Sequence, residues 1–148
     1  MIYVAASSAE IERAEKWMHS LRGEGIAVTS VWPETIRRVQ RERAMATTQE
    51  ASNPYQATVA DQRTWAMENV TQIRASEVLW LLVPNPPNLS EGAYWEHSCA
   101  WNERKLTIAS GGGTNRRFVF TALSHMIMET DEHAFEAIRL IYKRRAAL

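Results

Sequence analysis

The sequence predicts an α/β domain in which a parallel sheet is wrapped by helices on both faces. Three observations carry this. Apolar runs of strand length alternate with segments whose apolar residues recur at helical spacing, the pattern of successive β-α-β units. The run Glu77 to Val83, EVLWLLV, is apolar almost throughout, which suits a central strand covered on both faces rather than one with a wet side. Finally, 148 residues with 45% hydrophobic composition and a formal net charge of zero suffice for one domain, residues 1–148, with a sizeable core. We find neither an internal repeat nor a second domain.

Ile2 to Ala6 reads as the first strand, and Ser7 with Glu10 three residues later reads as a capping box opening a helix. That helix carries Ile11, Ala14, Met18 and Leu21 on one face and ends near Gly23 or Gly25. Ile26 to Trp32 is expected to be the second strand. Pro33 can open a helix running to about Ala46, with Ile36 and Val39 as a thin apolar stripe. Thr47 to Thr58 reads as a connecting loop, and Val59 to Ala75 returns to helical spacing with Trp65, Val70 and Ile73. After the central strand, the Pro84 to Asn88 loop leads into a short helix and then a strand at Leu106 to Ala109. Gly111-Gly112-Gly113 reads as a flexible turn, Arg117 to Phe120 as a fifth strand, and Thr130-Asp131 as the cap of a last helix. In that helix Phe135, Ile138 and Ile141 face inward, and Lys143, Arg144 and Arg145 complement the C-terminal dipole.

Several function classes are disfavoured. No window of about 18 uncharged apolar residues occurs and Met1 to Val4 opens directly as a strand, so the expectation is a cytoplasmic protein without a membrane span. Cys99 is the only cysteine, and His19, His97, His125 and His133 show no ligand-like pairing, so no metal and no cofactor are expected. The neutral charge lacks the footprint of a nucleic-acid binder, and Arg37, Arg38, Arg41 and Arg43 read as the solvated face of a helix. There is no G-x-G-x-x-G, and Gly111-Gly112-Gly113-Thr114 is not followed by Lys, which disfavours a Walker-type NTPase.

Ligands of open α/β sheets bind beyond the carboxyl ends of the strands. Three segments arrive there: Ala5-Ala6-Ser7-Ser8, Pro84 to Gly92, and Gly111 to Thr114. The second leads into the residue that stands out most. At about 100° per residue, Gly92, Ala93, Trp95, Cys99 and Ala100 lie along one small, apolar arc, and Glu96 falls inside it. Burying a carboxylate costs free energy unless it is paired or neutralised, so such a position points to function. The alternative is a stripe-edge Glu96 paired with Arg104 or a neighbouring element.

In order, these features resemble the nucleoside 2-deoxyribosyltransferases and the related 2'-deoxynucleoside 5'-monophosphate N-glycosidases. The opening strand Ile2-Tyr3-Val4-Ala5-Ala6 is similar to the family's I-Y-x-A-G start. Glu68 stands eight residues before Ser76 within Ala75-Ser76-Glu77-Val78, and Ser90-Glu91-Gly92-Ala93-Tyr94-Trp95-Glu96 matches the motif that carries the nucleophile. The resemblance implies a flavodoxin-like (Rossmann-like) three-layer sandwich with a five-stranded parallel sheet. It also implies that Glu96 is the nucleophile, that Tyr3 orients it through a hydrogen bond, and that Glu68 protonates the leaving base. Ser7, Ser8, Ser90 and Gly92 would then hold the sugar or its 5' substituent. The family's active sites are completed by a neighbouring subunit, so a homodimer or larger homo-oligomer is implied, with Ser124 in the segment that reaches the partner.

The chemistry follows from what an N-glycosidic bond needs, since a carboxylate beneath the sugar carbon can stabilise oxocarbenium character or form a covalent glycosyl intermediate. Water as acceptor makes a hydrolase, and a second base makes a transferase. Three positions depart from the family: Ser76 replaces an Asp, Glu68 replaces an Asp, and Ala6-Ser7 lacks the usual glycine. Ser76 favours an alternative reading, a non-catalytic nucleotide-binding or sensing module of the same fold. Ser90 implies a 5'-monophosphate substrate, because the nucleoside-cleaving branch carries Asp there; Glu91 opposes a phosphate, and Arg13, Arg116 or Arg117 would have to offset it. Tyr94 and Trp101 read either as a subunit contact or as residues buried under a neighbouring helix.

Overall fold

The structure, a computed structural model, describes residues 1–44, 59–117 and 119–147. Its sheet has four parallel strands in the order β1-β2-β3-β4: β1 (Ile2–Ala5), β2 (Val78–Val83), β3 (Leu106–Gly111) and β4 (Met126–Met128). Among the described residues five α-helices accompany it: α1 (Ile11–Gly23), α2 (Trp32–Ala44), α3 (Val59–Ala75), α4 (Glu91–Asn102) and α5 (Asp131–Ala146). β2 is buried at every position, as an apolar strand covered on both faces must be. Side chains alternate across the sheet. Trp80 therefore meets Trp17 of α1, ring centroids 5.5 Å apart, while the opposite alternation, that of Tyr3, Leu79 and Leu81, faces α4. α1 and α5 contact each other on the first face; α4, with α3 packed beside it, covers the second.

Helix starts follow the capping chemistry in part. Thr130 Oγ1 accepts from the His133 amide at 3.2 Å, as expected for α5. Ser7 accepts from Ala9, but it caps a single 3-10 turn, Ser8–Glu10, ahead of α1. Glu10 does not close the box; its carboxylate bonds Arg13 and Asn85 instead.

Two expected strands are corrected. Ile26 to Trp32 forms only an isolated bridge, Ile2 with Val28, because the Ser30 hydroxyl bonds both the amide and the carbonyl of Val4, where a strand would offer backbone. The chain then turns into α2 at Trp32, whose indole donates to the Val4 carbonyl at 2.8 Å. Arg117, Val119 and Phe120 are not in a strand either. Gly111, Gly112 and Gly113 have φ of +69°, +74° and +49° and lead into a 3-10 turn, Gly113–Arg117, while the last strand lies further on at Met126–Met128. Asn115 ties that turn to the loop after β2 by donating to the carbonyls of Pro84 and Asn88. Among the described residues the sheet thus has four strands, not the expected five. The expected Thr47 to Thr58 loop, the end of α2 at Ala46, and Phe118 lie outside the described residues.

A buried polar knot fixes the carboxyl ends of the inner strands. Asp131, at the start of α5, accepts from Arg13 Nε at 2.7 Å, Arg13 Nη2 at 2.8 Å, Trp17 Nε1 at 3.1 Å and Ser110 Oγ at 2.7 Å. Burial alone would raise the Asp131 pKa, but these donors, chiefly Arg13, hold it below the usual carboxylate range. Arg13 also bonds Glu10 and the Val83 carbonyl. It is therefore committed to joining α1, β2 and α5.

Candidate functional site

Ser90 caps α4 by accepting from the Ala93 amide at 3.3 Å, which sets the helix running from the carboxyl end of β2 back across the sheet. The side of α4 turned inward holds Ala93, Tyr94, Glu96, His97 and Ala100. Glu96 is thus in the core-facing stripe, only 7% exposed, and it makes no contact with Arg104. The arc differs from the expected one at Trp95, which is 46% exposed, and at Gly92, which is exposed too.

Asn69 of α3 donates from Nδ2 to Glu96 Oε1 at 2.7 Å. The Tyr3 hydroxyl, brought to the same place by β1, is buried and has no partner in hydrogen-bond geometry, although Glu96 acts on it. Burial, and then the Glu96 charge, raises the tyrosine pKa well above its ordinary value. Burial also pushes Glu96 up to about 8, outweighing the lowering contributions of Tyr3 and Asn69. Such a carboxyl is mostly protonated at neutral pH and releases its proton readily when positive charge develops beside it.

Glu96 opens onto a cavity of about 560 Å³, in the range of small-molecule sites. One wall is polar: Ser8, Ser90, Gly92, Glu68, Asn69 and Glu96. The other, largely from α2, is Val31, Trp32, Ile36 and Val39 with Thr35 and Gln40, and Trp65 of α3 closes it. The cavity lies at the carboxyl ends of β1 and β2, as expected for an open parallel sheet.

The structure brings together Glu96, Tyr3, Ser8, Ser90 and Gly92. Glu68 borders the cavity but is exposed and also faces a shallow groove on the outer side of α3. Ser7 is buried in its cap and does not line the cavity. Ser124 is elsewhere within this chain: its hydroxyl meets His97 Nε2 at 2.8 Å. Burial, and then neighbouring His125, lowers the His97 pKa to about 4. Tyr94 is buried against Phe120 of its own chain, ring centroids 6.1 Å apart, whereas Trp101 is 46% exposed. Ser76 sits at the amino end of β2, its hydroxyl on the Ile73 carbonyl at 2.7 Å, away from the cavity. Ser76 is therefore not among the residues that line the cavity.

A scan against protein-family models returns no match for this chain, and none of the curated proteins matches it.

Sequence reasoning missed Asn69 and the α2 wall. A signal for Asn69 existed: it lies four residues after Trp65 and four before Ile73, so all three share one face of α3. Among the described residues no group of three His, Cys, Asp or Glu comes together as a metal site, and no helix is long and apolar enough to cross a membrane.

Proposed function

We propose that this protein is an N-glycosidase that cleaves the bond between a base and a 2-deoxyribosyl group, or transfers that group, using Glu96 as nucleophile. The observation that carries the reading is the Glu96 carboxyl: buried, bonded on one oxygen by Asn69, and open on a cavity of nucleoside size. With Oε1 held, Oε2 is the oxygen that meets the anomeric carbon, and the low-polarity surroundings strengthen its attraction for an oxocarbenium ion. Trp32 and Trp65 offer apolar surface to a planar base, while Ser8 and Ser90 offer hydroxyls to the sugar. Water or a second base then takes the sugar from Glu96. The parallel sheet, with the Val28 bridge beside β1, is compatible with a flavodoxin-like sandwich. Release of free base from a panel of deoxynucleosides and their 5'-monophosphates, measured by chromatography, tests the reading.

Only the ionised carboxylate attacks, so base release should rise with pH toward about 8. Asn69→Ala removes a donor that favours the ionised form. It should move this rise to higher pH and lower kcat/KM at neutral pH by about 10- to 100-fold, the worth of a hydrogen bond to a charged group. A pH profile left in place would show that Asn69 does not position Glu96.

The reading extends to assembly. Phe120, Leu123 and Ile127 are exposed apolar residues near the open edge of β4, and Trp101 is exposed on α4. Such surface suits a subunit contact. Light scattering should give at least a dimer mass; a monomer at micromolar concentration would contradict it.

A further inference from the structure

The charge of the cavity points to a narrower ligand class. Its described lining contains two carboxyl groups, Glu68 and Glu96, and no Lys, Arg or His. Residues 45–58, between α2 and α3, contain no basic residue in their sequence. Arg13, the strongest candidate to meet a phosphate, is held by Asp131 and Glu10, and the Arg116 side chain donates to the Gly113 carbonyl. Neither lines the cavity. The Ser90 hydroxyl accepts from the Ala93 amide and keeps its own O–H to donate, but it brings no positive charge. Two tryptophans, Trp32 and Trp65, add ring systems whose faces attract cations.

The chemistry of departure points the same way. A neutral base leaves far more readily once it is protonated. Glu68, the one other carboxyl in the lining, is exposed, and among the described residues it has no hydrogen-bond partner to aim it. Asn69 and the serines do not titrate in the relevant range. A base that already carries positive charge needs no such acid.

Resting on the N-glycosidase reading, we propose that the preferred substrate is an N-glycoside whose base is cationic, such as a pyridinium or an N-alkylated purine nucleoside without a 5'-phosphate. In the reaction the C–N bond breaks and its electron pair stays on the ring nitrogen, so the base departs neutral. A Glu96 carboxylate oxygen forms the new bond to the anomeric carbon. Water then displaces the carboxylate, giving the free sugar, and the water's second proton goes to solvent. The sum is cationic glycoside plus water to neutral base, sugar and one proton.

The test uses three probes on the intact protein: an N-(2-deoxyribosyl)pyridinium compound, its uncharged 1,4-dihydropyridine counterpart, and the 5'-monophosphate of the pyridinium compound. Binding is read by quenching of tryptophan fluorescence and cleavage by release of the free base. The pyridinium nucleoside should bind on the order of tenfold or more tightly than either other probe, and Glu68→Gln should narrow that ratio several-fold. Equal or tighter binding of the uncharged probe or the monophosphate overturns the inference. If uncharged deoxynucleosides are cleaved in a Glu96-dependent way with no preference for the pyridinium probe, the substrate class falls and the N-glycosidase reading stands. If the pyridinium probe is preferred in binding but no probe and no deoxynucleoside is cleaved, the ligand class stands and the catalytic reading falls.

Discussion

Glu96→Gln should lower base release from the best substrate by on the order of 10³-fold or more while leaving the fold intact. The amide is nearly isosteric with the carboxyl, so the packing against Asn69 and Tyr3 survives. What it removes is the oxygen that bonds to the anomeric carbon and the negative charge that meets the oxocarbenium ion. Both contributions are greatest in the reacting complex, so the loss should fall mainly on kcat, with a smaller loss in the binding of a cationic substrate. Single-turnover rates and circular dichroism on the same preparations check this, and a variant of near-full activity would remove Glu96 from the mechanism.

The same substitution should stabilise the protein at alkaline pH. A carboxyl with an ordinary pKa of 4.5 in the unfolded chain and about 8 in the fold holds a proton through that interval that the unfolded chain has given up. Stability from this group is complete below about pH 4.5 and is lost as pH rises through about 8, a change on the order of 4 to 5 kcal/mol at 1.36 kcal/mol per pKa unit. Glutamine has no such dependence, so Glu96→Gln should gain on the parent protein steadily between pH 5 and pH 8.5 in urea denaturation. His97 works in the opposite sense: neutral in the fold down to about pH 4, it costs stability as pH falls below its ordinary 6.5. Comparing the variant with the parent at each pH cancels that contribution. A difference that stays constant with pH would mean that Glu96 is not held protonated by the fold.

The same position was the most legible part of the site, for a physical reason. A charge inside a stripe of small residues can be seen by stepping around a helix, and α4 does bury Ala93, Glu96 and Ala100 together. The stripe itself was shifted at Trp95, because α4 also turns Tyr94 and His97 toward Phe120 and Ser124, a neighbouring segment that helical periodicity does not place. The helical spacing predicts α3 at its observed ends, Val59–Ala75, and the resemblance singles out Glu68, which borders the cavity, while Asn69 is the residue that bonds the carboxyl. One residue on a helix turns about 100°, and only contact with α4 decides which of the two reaches the carboxyl.

The sheet was legible in its centre and not at its edges. EVLWLLV suits a strand covered on both faces, as β2 is, whereas Ile26 to Trp32 has the composition of a strand but meets β1 through one isolated bridge and the Ser30 hydroxyl. Three consecutive glycines at positive φ send the chain into a 3-10 turn, so the last strand forms later, at Met126–Met128. Side-chain substitution for a backbone ladder leaves no mark in hydrophobic periodicity, nor does the exit angle of a glycine turn.

The most direct test of Glu96 as nucleophile is to trap what it forms. A 2'-fluoro-substituted nucleoside slows breakdown of a glycosyl ester more than it prevents its formation. After incubation and proteolysis, mass spectrometry should find the fluorosugar on the peptide containing Glu96 and find nothing on that peptide in Glu96→Gln. Stoichiometric release of base with that peptide unmodified, or with the sugar attached to another residue, would contradict the account.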